Sequence, residues 1–253
     1  MKTSVVIAQL EVVWDVPANL AAVRAVLAET RPGEVVVFPE GMLSGYGEDL
    51  LLADPAVLSA AVDEVGKLAV RHEVEVFCGS LLPVGDGWCN AGIHFSATGD
   101  RRVYRKINLA MNERGVLTAG DELPVFPAGD LTVGVQLCRE IRFPEQWQHL
   151  ADQGVQLFAY LTNAANTREP AGVWRSHLIS RAAENQRFLA AANIAHPDQH
   201  CPTMLVSPRG EILAELPPGR PDVLRHTIDP AETASWYLDQ RRRDVVTVSA
   251  PAR

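Results

Sequence analysis

Thr132–Glu145, TVGVQLCREIRFPE, is a strand that stops at a thiol and turns towards a helix. Val133, Val135 and Leu137 alternate with Gly134 and Gln136, the two-residue period of a half-buried strand. Arg139, Glu140 and Arg142 follow Cys138 at once. Phe143-Pro144-Glu145 then reads as a helix entrance, because proline's missing N–H costs nothing in the first turn. A thiol on such a turn stands beside backbone N–H groups that have no partner yet. Those groups lower a thiol's pKa and can cradle an oxyanion. A buried, inert cysteine fits the same letters, so the flanking sequence has to decide.

Upstream, Ser4–Gln9 predicts a first strand and Pro17–Thr30 a helix with Leu20, Val23, Val26 and Leu27 on one face. Glu34–Phe38 is a compact apolar strand of the kind covered on both sides. It runs into Pro39-Glu40-Gly41 and the loop Leu43–Gly47, at the strand edge where open α/β sheets bind ligands. Ala56–Arg71 is a second helix; Val74–Gly79, Ser80–Val84, Cys89–Ser96 and Arg101–Tyr104 are four further strands. This change from alternation to a meander predicts mixed sheets. Lys106–Asp130 has weak periodicity and reads as a long functional loop.

Downstream come a strand over Gln156–Leu161, a helix over Gly172–Asn185 and a strand over Phe188–Asn193. Thr203–Ser207 and Glu211–Leu213 form a hairpin, and Val223–Ile228 is a last strand. Two βα halves with outer helices predict a four-layer α-β-β-α sandwich with two mixed sheets. The chain reads as a single domain, 1–253, since no linker-like segment divides it. Trp236, Tyr237 and Leu238 in the tail, from about 229 to 253, are expected to pack on another subunit.

Composition excludes several classes. A hydrophobic share of 47% and a charged share of 21% over 253 residues are those of a soluble globular chain. A net charge of −8 argues against nucleic-acid and anionic-membrane partners. No run is long enough to span a bilayer. Cys78, Cys89, Cys138 and Cys201 show no paired spacing, so reduced thiols and a cytoplasmic setting are expected. Zinc-type ligand pairs are absent.

Glu40, Lys106 and Cys138 each follow a predicted strand. A carboxylate, an ammonium and a thiol brought to one sheet edge make a coherent set: base, oxyanion stabiliser and nucleophile. Spacing alone does not bring them together. The segments that carry them, VVVFPEGMLSGYGEDL, YRKINLAMNERGVLTAGD and VGVQLCREIRFPE, resemble the nitrilase (carbon–nitrogen hydrolase) superfamily. NAAN at 163–166, SRAAENQRF, SPRGEIL and YLDQRR are similar to it too, and in its order.

That resemblance implies an αββα fold, a homodimer or higher homo-oligomer, and no metal or organic cofactor. It implies Glu40 as general base, Lys106 as oxyanion-holding cation and Cys138 as nucleophile. Glu113 falls where members carry a second glutamate, and Arg139 would supply a backbone N–H to the oxyanion. Tyr46, Phe143, Asn163 and Trp174 are candidates to line the pocket, and ordinary packing explains each equally well. Glu140 and Glu184 read as structural, Cys78, Cys89 and Cys201 as buried thiols, and His196 and His200 as surface residues. Arg-Glu after the cysteine, where nitrilases usually have Trp-Glu, favours a small amide over a nitrile. Ureide hydrolysis, nitrile hydrolysis and soluble acyl transfer remain open, as does a non-catalytic binding role.

Overall fold

The computed structural model describes residues 1–165 and 172–242. The first half contains β1 (Thr3–Gln9), α1 (Val16–Ala28), β2 (Val35–Val37), α2 (Pro55–His72), β3 (Glu75–Val84), β4 (Gly87–Phe95) and β5 (Arg101–Arg105). The second contains β6 (Val125–Ala128), β7 (Leu131–Leu137), α3 (Pro144–Asp152), β8 (Leu157–Leu161), α4 (Val173–Asn185), β9 (Phe188–Ala192), β10 (Met204–Val206) and β11 (Ile212–Glu215). β12 (Asp222–Ile228) returns to the first half, and α5 (Trp236–Asp239) follows it.

Both helices of the first half start on an aspartate. Asp15 accepts the Ala18 N–H at 2.9 Å and Asp54 accepts those of Ala56 and Val57, each ahead of a proline in the first turn. Among the described residues the strands form two six-stranded sheets, ordered β12-β1-β2-β3-β4-β5 and β11-β10-β9-β8-β7-β6. β1, β2 and β3 are parallel, as are β7, β8 and β9; the outer pairings are antiparallel. The sheets are therefore mixed, as the sequence predicts.

Alternation along the strands builds the four layers. Val5 and Ile7 of β1 point between the sheets, with Val35 and Val37, against Val133, Val135 and Leu137 of β7. Val6 and Ala8 point outward and meet Leu20, Val23, Val65 and Leu68 of α1 and α2. On the far side, Phe158, Tyr160, Leu189 and Ala191 meet Trp147 and Leu150 of α3 and Leu178 of α4. Strands buried on both faces lose the polar half of their alternation, which explains runs such as Val35–Phe38. The sheets approach closely at β4 and β7: a Cβ on Gly92 would lie 2.6 Å from Val135 Cγ1.

Two expectations need correction. The strands expected over Val74–Gly79 and Ser80–Val84 are one strand, β3, because Gly79 is not a break. It admits the neighbouring backbone: a Cβ there would lie 2.5 Å from Glu40 Cα. Lys106–Asp130 is not all loop either. Val125–Ala128 pairs antiparallel with β7, and Pro127 is tolerated because β6 is an edge strand.

In the tail, Trp236 and Tyr237 are exposed and stack edge to face, while Leu238 is buried against the α4 layer of its own chain. The rest of the tail expected to meet another subunit, 243–253, lies outside the described residues, as does Asn166 of the NAAN segment. No helix among the described residues is long and apolar enough to cross a membrane.

Candidate active site

β5 pairs antiparallel with β4, and β4 with β3, so β5 runs in the direction of β2. Glu40, just beyond β2, and Lys106, just beyond β5, consequently emerge at the same edge of the first sheet. The C-terminal ends of β7, β8 and β9 reach that edge from the second sheet. A parallel bridge between Leu10 and Ile194 ties the two edges together there. So does the Asn163 N–H, which donates to Glu40 Oε2 at 3.1 Å.

Lys106 is fully buried, and its Nζ lies 2.8 Å from Glu40 Oε1 and 3.0 Å from Glu113 Oε1. Removing an ammonium from water costs several kcal/mol, so it stays charged there only with such partners. The Asn90 side chain, on β4, donates to both carboxylates, at 2.7 Å to Glu40 and 2.5 Å to Glu113. Tyr46 donates its hydroxyl to Glu113 at 2.8 Å, and the Ala110 N–H reaches the other Glu113 oxygen at 2.5 Å. The Tyr46 ring also lies 5.9 Å from the ammonium.

This cluster separates its two carboxyls. Burial raises Glu40, and the charge on Glu113 adds to that, against the opposing pull of Lys106. Burial would raise Glu113 too, but Lys106 and the Asn90 and Ala110 hydrogen bonds hold it below the usual range. One carboxyl can thus exchange a proton while the other stays a fixed counter-charge. Burial would lower Lys106, yet the two carboxylates push it well above the ordinary lysine value, so it remains a cation.

Cys138 opens a 3-10 turn, Cys138–Arg142, with a left-handed φ of 34° that a side chain rarely adopts. Buried side chains hold that turn by its carbonyls. Tyr160 donates its hydroxyl to the Cys138 carbonyl at 2.6 Å and the Trp147 indole donates to that of Glu140 at 2.9 Å. Arg181 donates to that of Ile141 through Nε and Nη2, at 3.1 and 2.9 Å. The thiol is half-buried. Burial, then the Glu40 charge, pushes it up to about 12, while Lys106 and the Thr162 hydroxyl pull the other way. The resting thiol is therefore protonated and needs a base before it can attack.

Glu40, Lys106, Glu113, Tyr46 and the backbone of Asn163 thus form one hydrogen-bonded cluster, within electrostatic reach of Cys138. Arg139 follows Cys138 in the same turn. Phe143 sits at the start of α3 with its N–H on the Glu140 carbonyl, and Trp174 is buried on α4 beneath the Arg142 guanidinium, 5.7 Å from its ring. Neither donates to nor accepts from Glu40, Lys106, Glu113 or Cys138 among the described residues. Sequence reasoning misses Asn90, whose only signal is a polar residue inside the apolar strand CNAGIHF, and Tyr160, which reads as core.

The carbon–nitrogen hydrolase family matches residues 4–238, and the chain belongs to that family. It is 29% identical to a 2-oxoglutaramate amidase of Bacillus subtilis over 223 residues, 81% of this chain and 82% of that one. It is 28% identical to an omega-amidase of Xenopus laevis over 255 residues, 87% of each chain. Its fold matches an amidase from Nesterenkonia sp. AN1, solved with the acetamide moiety of fluoroacetamide added at the active-site cysteine. That match has a TM-score of 0.83 at 22% identity and covers 95% of this chain and 94% of the other.

Proposed function

From this membership, we propose that the chain hydrolyses a small amide to a carboxylic acid and ammonia or an amine, through a thioester on Cys138. Glu40 takes the thiol proton as sulfur attacks the carbonyl carbon. The carbonyl electrons move onto oxygen, which Lys106 and the Arg139 N–H stabilise. Glu40 returns the proton to the leaving nitrogen as the C–N bond breaks. It then takes a proton from water as the water oxygen attacks the thioester carbon, and returns that proton to sulfur as the C–S bond breaks, releasing the acid and restoring the thiol. Glu113 stays ionised throughout, fixing Lys106 and anchoring Tyr46.

The observation that carries this reading is the fully buried Lys106 ammonium held between Glu40 at 2.8 Å and Glu113 at 3.0 Å, within electrostatic reach of the Cys138 thiol. The amidases among the relatives support an amide over a ureide or a nitrile. Reduced cysteines support a cytoplasmic setting, and exposed Trp236 and Tyr237 support a homodimer or higher oligomer of this single domain. Ammonia release from a panel of simple amides, ureides and nitriles tests the substrate class. Amides alone should react and, with hydroxylamine added, yield hydroxamates. Turnover confined to nitriles or ureides, or acyl transfer to amines without hydrolysis, would replace this reading.

A further inference from the structure

Glu140 is fully buried inside the turn that carries Cys138, yet its carboxylate reaches across to the other sheet. Its Oε1 accepts the Tyr104 hydroxyl at 2.6 Å, the Ile107 N–H at 2.9 Å and the Asn108 N–H at 3.1 Å. Its Oε2 accepts the Leu137 N–H at 2.9 Å. Tyr104, Ile107 and Asn108 bracket Lys106, and Leu137 is the residue before Cys138. One carboxylate therefore ties the lysine's segment of the first sheet to the nucleophile's turn on the second.

We propose that Glu140 is a positioning residue that sets the placement of the Lys106 ammonium relative to the Cys138 sulfur. The chemistry of its partners points to a fixed separation rather than general packing. Tyr104, Ile107, Asn108 and Leu137 are all donors to it, so only a carboxylate satisfies them all without placing two donors face to face. Within the first half, Lys106 is held by its N–H on the Asn90 carbonyl, its carbonyl on the Gly120 N–H and its ammonium on Glu40 and Glu113; Glu140 adds the link from the residues beside it to the nucleophile's turn.

The proposal rests on Lys106 and Cys138 acting as proposed, so its test reads the thiol directly. Alkylation of Cys138 by iodoacetamide, followed by peptide mass spectrometry across pH, reports how strongly Lys106 favours the thiolate. In Glu140→Gln one amide donor must face the bonded N–H or hydroxyl donors. Labelling should slow about tenfold, the loss of roughly one pKa unit of lysine influence, with the profile displaced to higher pH. Glu140→Asp keeps the carboxylate and should recover part of the rate.

Tyr104→Phe removes one donor and keeps the ring, and should slow labelling about threefold; it decides the question if Glu140→Gln does not fold. Wild-type labelling in both Glu140→Gln and Tyr104→Phe would overturn the proposal. So would slowed labelling in a folded Glu140→Gln that Glu140→Asp does not relieve at all. Should Cys138→Ala keep amide turnover while Glu140→Gln slows labelling, the proposed reaction falls and the positioning role stands.

Discussion

Lys106 shows how much depends on one side chain. It is fully buried, pairs with two carboxylates and acts on the thiol through its charge. Lys106→Met keeps most of the volume and removes the cation. If Lys106 is one of two oxyanion donors, kcat should fall by about 10²–10³-fold with KM changed far less; steady-state kinetics on a reacting amide checks this. Asn90 acts through the carboxylates, and its hydrogen bond lowers Glu40. Asn90→Leu should therefore raise the Glu40 pKa further. Glu40 must be ionised to take the thiol proton, so activity is lost as pH falls through that pKa. The acid limb of kcat/KM should move to higher pH in Asn90→Leu, and an unmoved limb would deny Asn90 this part.

At the scale of elements, strand direction and close approach place these residues. The turn after β2 lies so near β3 that a Cβ on Gly79 would meet Glu40 Cα and the Pro39 carbonyl oxygen, each at 2.5 Å. Both are backbone atoms and cannot swing aside. Gly79→Ala should destabilise the fold by about 1–3 kcal/mol and lower kcat by displacing Glu40, seen together in urea unfolding and turnover. A fully active, fully stable Gly79→Ala would show that this contact does not position Glu40.

Much of this level is legible in sequence. Apolar runs at Val35–Phe38 and Leu157–Leu161 give doubly covered strands, and Pro144 marks the start of α3. Gly79 misleads, because a glycine ends a strand and admits a neighbouring backbone with the same letter. β6 is missed because VFPA is short and holds a proline that only an edge strand accepts. Glu140 could be placed near Cys138 by its number, but its donors beside Lys106 are more than thirty positions away, and no periodicity encodes that meeting.

For the molecule as a whole, the site sits where two sheets end together, so its half-buried thiol is shielded from both sides. Burial raises Cys138 from an ordinary 9.0 to about 12. It raises Cys78, Tyr104, Tyr160 and Cys201 as well. A folded pKa above the unfolded one means stability is complete below the unfolded value and is lost as pH rises through the folded value. Thermal unfolding should therefore stay level at neutral pH and weaken as pH rises from 9.0 towards about 12. Cys138→Ala should lessen that slope. Lys106 stays charged throughout this window and does not oppose the trend.

The α-β-β-α layering agrees with what the sequence predicts, and hydrogen bonds gather Glu40, Lys106 and Glu113 at one edge. Asn90 emerges only once β4 lies beside the turn after β2, and the reach of Glu140 only once both sheets are in place. The covalent step can be seen directly. The wild-type chain mixed with a simple amide and quenched in acid should gain the mass of the acyl group, on the peptide that contains Cys138. Cys138→Ala should gain nothing and release no ammonia. Ammonia release at the wild-type rate from Cys138→Ala would contradict a thioester at this thiol.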